Sequence, residues 1–218
     1  MHRIFFWDVD SQLDFLRPSG ALHVPGSDAI IPLLARLTGF AHTRGIRIIA
    51  SAEEHAPADR ELSEHPDFTE TFPPHCLRGS PGQARVPEAA LIHPLVIEPS
   101  RSEADPARAV AAHDGDIEVH KHWFDVFSNP NLIGVLRTLD PEVIVLYGVA
   151  LDLAVRHTIE GLALHRPHTR LYLVVDATRA IRPELGEHLL KEWAEEGVRL
   201  VRSSEILEDG ILDRYLND

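Results

Sequence analysis

Residues 142–164 read EVIVLYGVALDLAVRHTIEGLAL. Val143-Ile144-Val145-Leu146-Tyr147 is apolar without a break, as a strand must be when helices cover both its faces. Gly148 follows, where a turning backbone leaves no room for a Cβ. Leu151, Val155, Ile159 and Leu162 then recur at three- and four-residue spacing and give a helix one apolar face. Asp152 falls near the start of that helix, where a carboxylate suits unpaired N–H groups. The stretch is expected to fold as buried strand, tight turn and helix. Ligands bind beyond the carboxyl ends of strands in an open α/β sheet, so residues 150–155 are expected to face a pocket. The position there best placed for a nucleophile is Ala154, which offers only a methyl group.

The same alternation runs outward on both sides. Strands are expected over 3–10, ending in Asp8 and Asp10, over 46–51, over 117–121, ending in Lys121, over 171–175 and over 198–201. Helices are expected from Ser27 or Asp28 to Arg44 with Gly45 as the stop, over 105–113, from Asn129 with Pro130 at its first turn to Leu139, over 183–196 before Gly197, and from Ser203 onward. Strands alternating with helices imply a parallel sheet covered on both faces. The fold class is α/β: a three-layer α/β/α domain over residues 1–218, with a six-stranded, mostly parallel, Rossmann-like sheet. Residues 52–98 break the alternation. They are polar and Pro-rich, and a connection of that length inside a compact domain is functional or disordered; its patterned histidines and carboxylates favour function.

Composition narrows the classes. The 218 residues are 44% apolar, enough for one full core. The net charge of −13, with no basic patch in the sequence, argues against a nucleic-acid partner. No apolar run reaches the length of a membrane span, and MHRIFFWDVD lacks the apolar centre of a secretory leader. A single cysteine, Cys76, excludes an internal disulfide and fits a reducing compartment, so a cytoplasmic protein is expected. No organic cofactor is expected. Of the 14 histidines, only those with patterned neighbours carry weight.

A parallel sheet gathers its strand ends, which makes Asp10, Lys121 and the turn before Ala154 expected neighbours. A carboxylate beside a buried ammonium is a base held ionised, and with a thiol between them it would favour thiolate. An ion pair that merely ties the sheet edge satisfies the same spacing. In the long connection, Glu53 and His55 lie two apart and point to one side of extended backbone. His75 follows in Phe72-Pro73-Pro74-His75-Cys76, where the prolines stiffen the approach. Two imidazoles and a carboxylate suit a divalent metal such as Zn, Fe or Mn, with a fourth donor available from Glu61, Glu64, His65 or Asp67. A polar surface loop with incidental histidines fits the same residues and is the commoner reading of so short a pattern as E-x-H. Cys76 belongs to that stiff loop rather than to a strand-to-helix turn and is expected to pack, not react. Phe15, Phe72 and Trp123 are candidates for stacking a flat ligand, and each also suits a core.

In the order Asp10-Ser11-Gln12-Leu13-Asp14-Phe15, Gly20-Ala21-Leu22, Ser51-Ala52-Glu53-Glu54-His55, Phe72-Pro73-Pro74-His75-Cys76, His120-Lys121-His122 and Gly148-Val149-Ala150-Leu151-Asp152-Leu153-Ala154-Val155, the chain resembles the nicotinamidase/isochorismatase superfamily of cysteine hydrolases. The resemblance implies Asp10 as general base, Lys121 as its charged partner, position 154 as the nucleophile, and backbone N–H groups of Ala150 and Ala154 as the oxyanion hole, with a cis peptide between Val149 and Ala150. It implies Glu53, His55 and His75 as ligands of a loop metal, a small-molecule substrate, and a homo-oligomer. Two positions depart from the pattern: Glu53 stands for an aspartate and Ala154 for the cysteine.

Three functions fit. The first is a nicotinamidase-type amidase acting on a small, cyclic amide but lacking its nucleophile, through engineering or natural loss, and so inactive as written. The second is a pseudoenzyme that binds a small ligand. The third is an isochorismatase-type hydrolase that uses Asp10 without a thiol, against which the metal loop argues.

Overall fold

The computed structural model describes residues 3–100 and 106–216. The apolar runs become the strands β1 (Ile4–Val9), β2 (Arg47–Glu53), β3 (Leu95–Ile97), β4 (Ile117–Lys121), β5 (Val143–Val149), β6 (Arg170–Arg179) and β7 (Arg199–Val201). They pair in the order β3-β4-β2-β1-β5-β6-β7, every neighbour parallel. Seven strands stand where six are expected. The extra one, β3, has three residues, pairs only with β4 and leaves Val96 exposed, so it has too little apolar pattern to read from sequence.

Alternation along each strand feeds two cores. Ile4 and Phe6 of β1 join one cluster; Phe5, Trp7 and Val9 join the other. The first core is closed by α1 (Leu13–Leu16), α2 (Ile31–Thr43), α7 (Ser203–Leu207) and α8 (Asp213–Leu216), and the second by α3 (Pro106–Ala111), α4 (Leu132–Leu139), α5 (Arg156–His165) and α6 (Pro183–Glu195). This is the α/β/α sandwich. The helix expected over 105–113 is the shorter α3, and Asp105 lies outside the described residues.

Several element ends differ from expectation. A 3₁₀ turn, Ser27–Ile30, precedes α2, and the Ser27 hydroxyl donates to the Phe15 carbonyl at 2.7 Å instead of capping a helix. The helix α4 starts later than Asn129: the Asn129 Oδ1 accepts the Asn131 amide at 2.9 Å in a turn ahead of the helix, while its Nδ2 donates to the carbonyls of Ile97 and His120, joining β3 to β4. Gly148 sits inside β5 at φ +113°, where a Cβ would stand 2.1 Å from the Val9 carbonyl oxygen. Glycine is required by that close approach, within the strand rather than after it.

Candidate active site

Beyond Val149 the chain does not turn directly into an α-helix. The Val149–Ala150 peptide is cis, residues Leu151–Val155 form one π-helical turn, and α5 begins at Arg156. Asp152 does not serve its own helix. Its carboxylate accepts the amides of Ile181 and Arg182 at 2.8 and 2.9 Å, fixing the segment after β6 against the turn.

The turn closes a small cavity lined by Asp10, Phe15, Leu22, Val24, Glu53, Glu61, His75, Val149, Ala150, Leu153, Ala154 and Ile181. Acidic and imidazole groups form one side and aliphatic side chains the other. The cavity holds about 20 Å³, room for about one water. Phe15 lines it. Phe72 and Trp123 do not: Phe72 packs edge-on to His75 and Phe124, behind the imidazole, and Trp123 lies under the guanidinium of Arg60. Leu22, Val24, Leu153 and Ile181 were not singled out from sequence, since isolated aliphatics in loops carry no pattern.

Lys121 is fully buried at the end of β4. Its Nζ lies 2.9 Å from Asp10 Oδ2 and 2.6 Å from Glu53 Oε1. Asp10, at φ +50°, also accepts the Ser51 hydroxyl on Oδ1 at 2.7 Å. Ser51 and Glu53 are two apart on β2 and so share a face. Burial raises the Asp10 carboxyl above its ordinary range despite Lys121. Burial likewise opposes ionisation of Glu53, but the Lys121 charge and the hydrogen bonds from both imidazoles prevail and hold it well below the carboxylate range. Lys121 is raised: burial works against its charge, and Asp10 and Glu53 outweigh that.

The other oxygen of Glu53 faces the histidines. Oε2 lies 3.2 Å from His55 Nε2 and 2.7 Å from His75 Nε2. His75 Nδ1 donates to the Pro73 carbonyl at 2.7 Å, which fixes the ring with Nε2 inward. His55 Nδ1 meets Asp59 Oδ2 at 3.2 Å. Glu61 completes the group: one donor atom each from Glu53, His55, Glu61 and His75 falls within 4.8 Å of the others, all four residues buried. Glu64, His65 and Asp67, the other sequence candidates for a fourth donor, are not in this group. Glu61 Oε2 is buried with no hydrogen-bond partner. Burial would lower His75, yet the two carboxylates push it up to about 10. A buried oxygen without a partner, beside two imidazoles and a second carboxylate, is the signature of a pocket that takes a cation. Two nitrogens and two oxygens match the donor chemistry of Zn, Fe or Mn.

Two side chains at the start of α1 hold this cluster against the sheet. Gln12 donates to the Glu53 carbonyl and accepts the Glu53 amide, both at 2.7 Å. Asp14 accepts the Cys76 amide at 2.7 Å and the Ala21 amide at 2.9 Å. A Cβ on Gly82 would lie 2.2 Å from the Asp14 carboxylate. Cys76 is fully buried beside His75, and burial among carboxylates raises its thiol far above the reactive range.

The isochorismatase domain model matches residues 94–205, more than half of the chain. A nicotinamidase/pyrazinamidase of Mycobacterium tuberculosis is 27% identical over 201 residues, covering 90% of this chain and 97% of that protein. A nicotinamidase of Escherichia coli is 28% identical over 214 residues, covering 88% and 91%. Among solved structures, the pyrazinamidase of Pyrococcus horikoshii in complex with zinc superposes with a TM-score of 0.69 at 25% identity, over 92% of this chain and 99% of that one. The parallel sandwich, the matched domain and these relatives agree: the chain belongs to the isochorismatase domain family, in the superfamily of nicotinamidase-like hydrolases.

Proposed function

We propose that residues 1–218 form one domain with the site of a metal-containing amidohydrolase of the nicotinamidase type, built to cleave the C–N bond of a small cyclic amide and lacking its nucleophile. The observation that carries this reading is the single ammonium of Lys121, set between Asp10 in the cavity wall and Glu53 of the four-donor cluster. Glu53, His55, Glu61 and His75 would hold the metal. When bound, it supplies a Lewis-acidic point for a lone pair on the ligand ring.

The chain's own residues divide the remaining work. Asp10 is the proton acceptor, held in place by Lys121 and Ser51. Phe15, Leu22, Val24, Leu153 and Ile181 enclose the ligand and keep water out. Ala150 and Ala154 line the cavity where a carbonyl oxygen would meet backbone N–H groups. A cysteine at 154 would pass its thiol proton to Asp10. Its sulfur would then bond the amide carbon, and ammonia would leave with that proton. Water would release the acid from the thioester. The methyl of Ala154 performs none of these steps, so the chain as written is inactive by this route.

The test is Ala154→Cys, assayed for ammonia release from nicotinamide and a panel of small amides. Turnover is expected, and is expected to vanish when Asp10→Asn is added. The alanine itself favours a second reading, a binding protein that keeps the pocket. No turnover by a folded, metal-loaded Ala154→Cys protein on any of the amides, with nicotinamide still bound, decides for that reading.

A further inference from the structure

The starts of β6 and β7 lie at the opposite end of the sheet from Asp10 and Lys121. Arg170 opens β6 and Arg199 opens β7. Tyr172 is in register with Arg199, and Arg170 lies two residues before Tyr172 on the same strand. Arg170 and Arg199 are therefore on one face of the sheet, and α8 lays Arg214 and Tyr215 against it. Arg170, Arg199, Arg214 and Tyr215 line a concave site of about 380 Å³. The sequence shows no basic patch because these arginines are far apart along it.

The floor is aromatic and buried: Tyr172 is 1% exposed and Tyr215 4%. The Tyr172 hydroxyl shares a 3.0 Å hydrogen bond with that of Tyr215. It also accepts from Arg199 Nη1 at 3.0 Å and from Arg214 Nη2 at 2.6 Å. The Arg199 guanidinium stands 5.4 Å from the Tyr172 ring centre. Those of Arg214 and Arg170 stand 4.7 and 5.8 Å from the Tyr215 ring. Ring faces thus set the positions of three exposed cations.

The cluster gathers three guanidiniums without acid partners among the described residues into one concavity. The chain has 34 carboxylate side chains and 21 lysines and arginines, yet among the described residues none of these three guanidiniums is paired with a carboxylate. Nearby acids are engaged elsewhere: Asp213 pairs with Arg44, and Glu205 accepts the Arg202 amide. Burial would raise the Tyr215 hydroxyl, but its bond to Tyr172 and the charges of Arg214, Arg170 and Arg199 hold it below the ordinary tyrosine range. Each guanidinium has five N–H donors. Arg199 and Arg214 each place one on Tyr172, and the rest remain for a ligand.

We propose that Arg170, Arg199 and Arg214 form a binding site for a phosphoryl-class oxyanion, separate from the catalytic cavity. Guanidinium forks match phosphate oxygens. Three forks arriving from two strands and a helix suit a tetrahedral anion better than the two coplanar oxygens of a carboxylate.

Calorimetric titration of metal-stripped, full-length protein with inorganic phosphate, at fixed ionic strength against a chloride control, tests this. One saturable site per chain is expected, with a dissociation constant below about 1 mM. Arg199→Gln and Arg170→Gln should each weaken it at least tenfold. Arg36→Gln, which removes an arginine paired with Glu208 on another surface, should leave it unchanged. Circular dichroism of each variant separates lost binding from lost folding, and Arg199→Lys offers a milder second variant, expected to weaken binding less than Arg199→Gln. A non-saturable response equal to chloride, or binding unchanged in a folded Arg170→Gln/Arg199→Gln protein, overturns the proposal. So does binding that appears only after deletion of residues 217–218, because those residues would then be the occupant. Phosphate that only changes the sedimentation coefficient, with no one-to-one binding, also overturns it and marks the patch as an interface between copies.

Discussion

Lys121 Nζ lies closer to Glu53 Oε1, at 2.6 Å, than to Asp10 Oδ2, at 2.9 Å. One buried ammonium therefore joins the end of β1 to the four-donor cluster. The longer arm at position 53 lets one carboxylate face Lys121 with one oxygen and both imidazoles with the other.

Removing that ammonium strands two buried carboxylates. Lys121→Met is expected to cost about 3–5 kcal/mol of folding stability, the usual penalty for breaking a buried pair from one side. Denaturant unfolding measures it. Asp10→Asn added to Lys121→Met should cost less than the two single losses summed, because the second change removes a charge the first left uncompensated.

The four-donor cluster should link stability to metal. At a Zn concentration a hundredfold above its dissociation constant, the folded state gains about 2.7 kcal/mol, read as a rise in melting temperature that a chelator reverses. His75→Ala should remove most of the shift, while His65→Ala, outside the cluster, should leave it. Equal shifts in both variants would place the metal elsewhere.

Two glycines make a contrasting pair. At Gly82 a Cβ would stand 2.2 Å from the Asp14 carboxylate, the group that ties Cys76 and Ala21. Gly82→Ala should cost about 1–3 kcal/mol from overpacking and lower metal occupancy. Gly39 lies exposed within α2 with nothing within 4 Å of its Cβ position. Gly39→Ala should gain about 0.5–1 kcal/mol from helix propensity. Unfolding curves of the two should move in opposite directions.

Asp152→Asn tests the tie behind the cavity wall. An amide in place of the carboxylate directs an N–H₂ group at backbone N–H donors of Ile181 or Arg182. A loss of about 1.5–3 kcal/mol is expected for hydrogen bonds to a charged group. In an Ala154→Cys background, KM should rise more than kcat falls, since Ile181 touches the ligand space and not the reacting atoms.

Much of this was legible in the sequence, for reasons that differ by residue. Uninterrupted apolar runs gave the central strands, and the strand-end rule alone placed Asp10 next to Lys121. The i, i+2 spacing put Glu53 and His55 on one side. What stayed hidden depends on backbone detail that pattern does not encode. The π-helical turn at Leu151–Val155, the three-residue β3 and the aim of Asp152 at Ile181 are settled by packing. The cavity wall of Leu22, Val24, Leu153 and Ile181 is built from unremarkable loop and turn residues. The partners of Phe72 and Trp123 were equally invisible, since an aromatic in a loop stacks on a ligand or on its neighbours according to the path of the chain.

The narrowness of the cavity has a kinetic consequence. Its aliphatic wall is tethered at several points: the amides of Ala21 and Leu22 to Asp14, that of Val24 to the Phe15 carbonyl, and that of Ile181 to Asp152. With about 20 Å³ open, room for about one water, a planar ring is expected to enter as part of this wall gives way. Association is then gated: the observed rate should level off with rising ligand concentration at the opening frequency of the wall, far below the diffusional encounter rate.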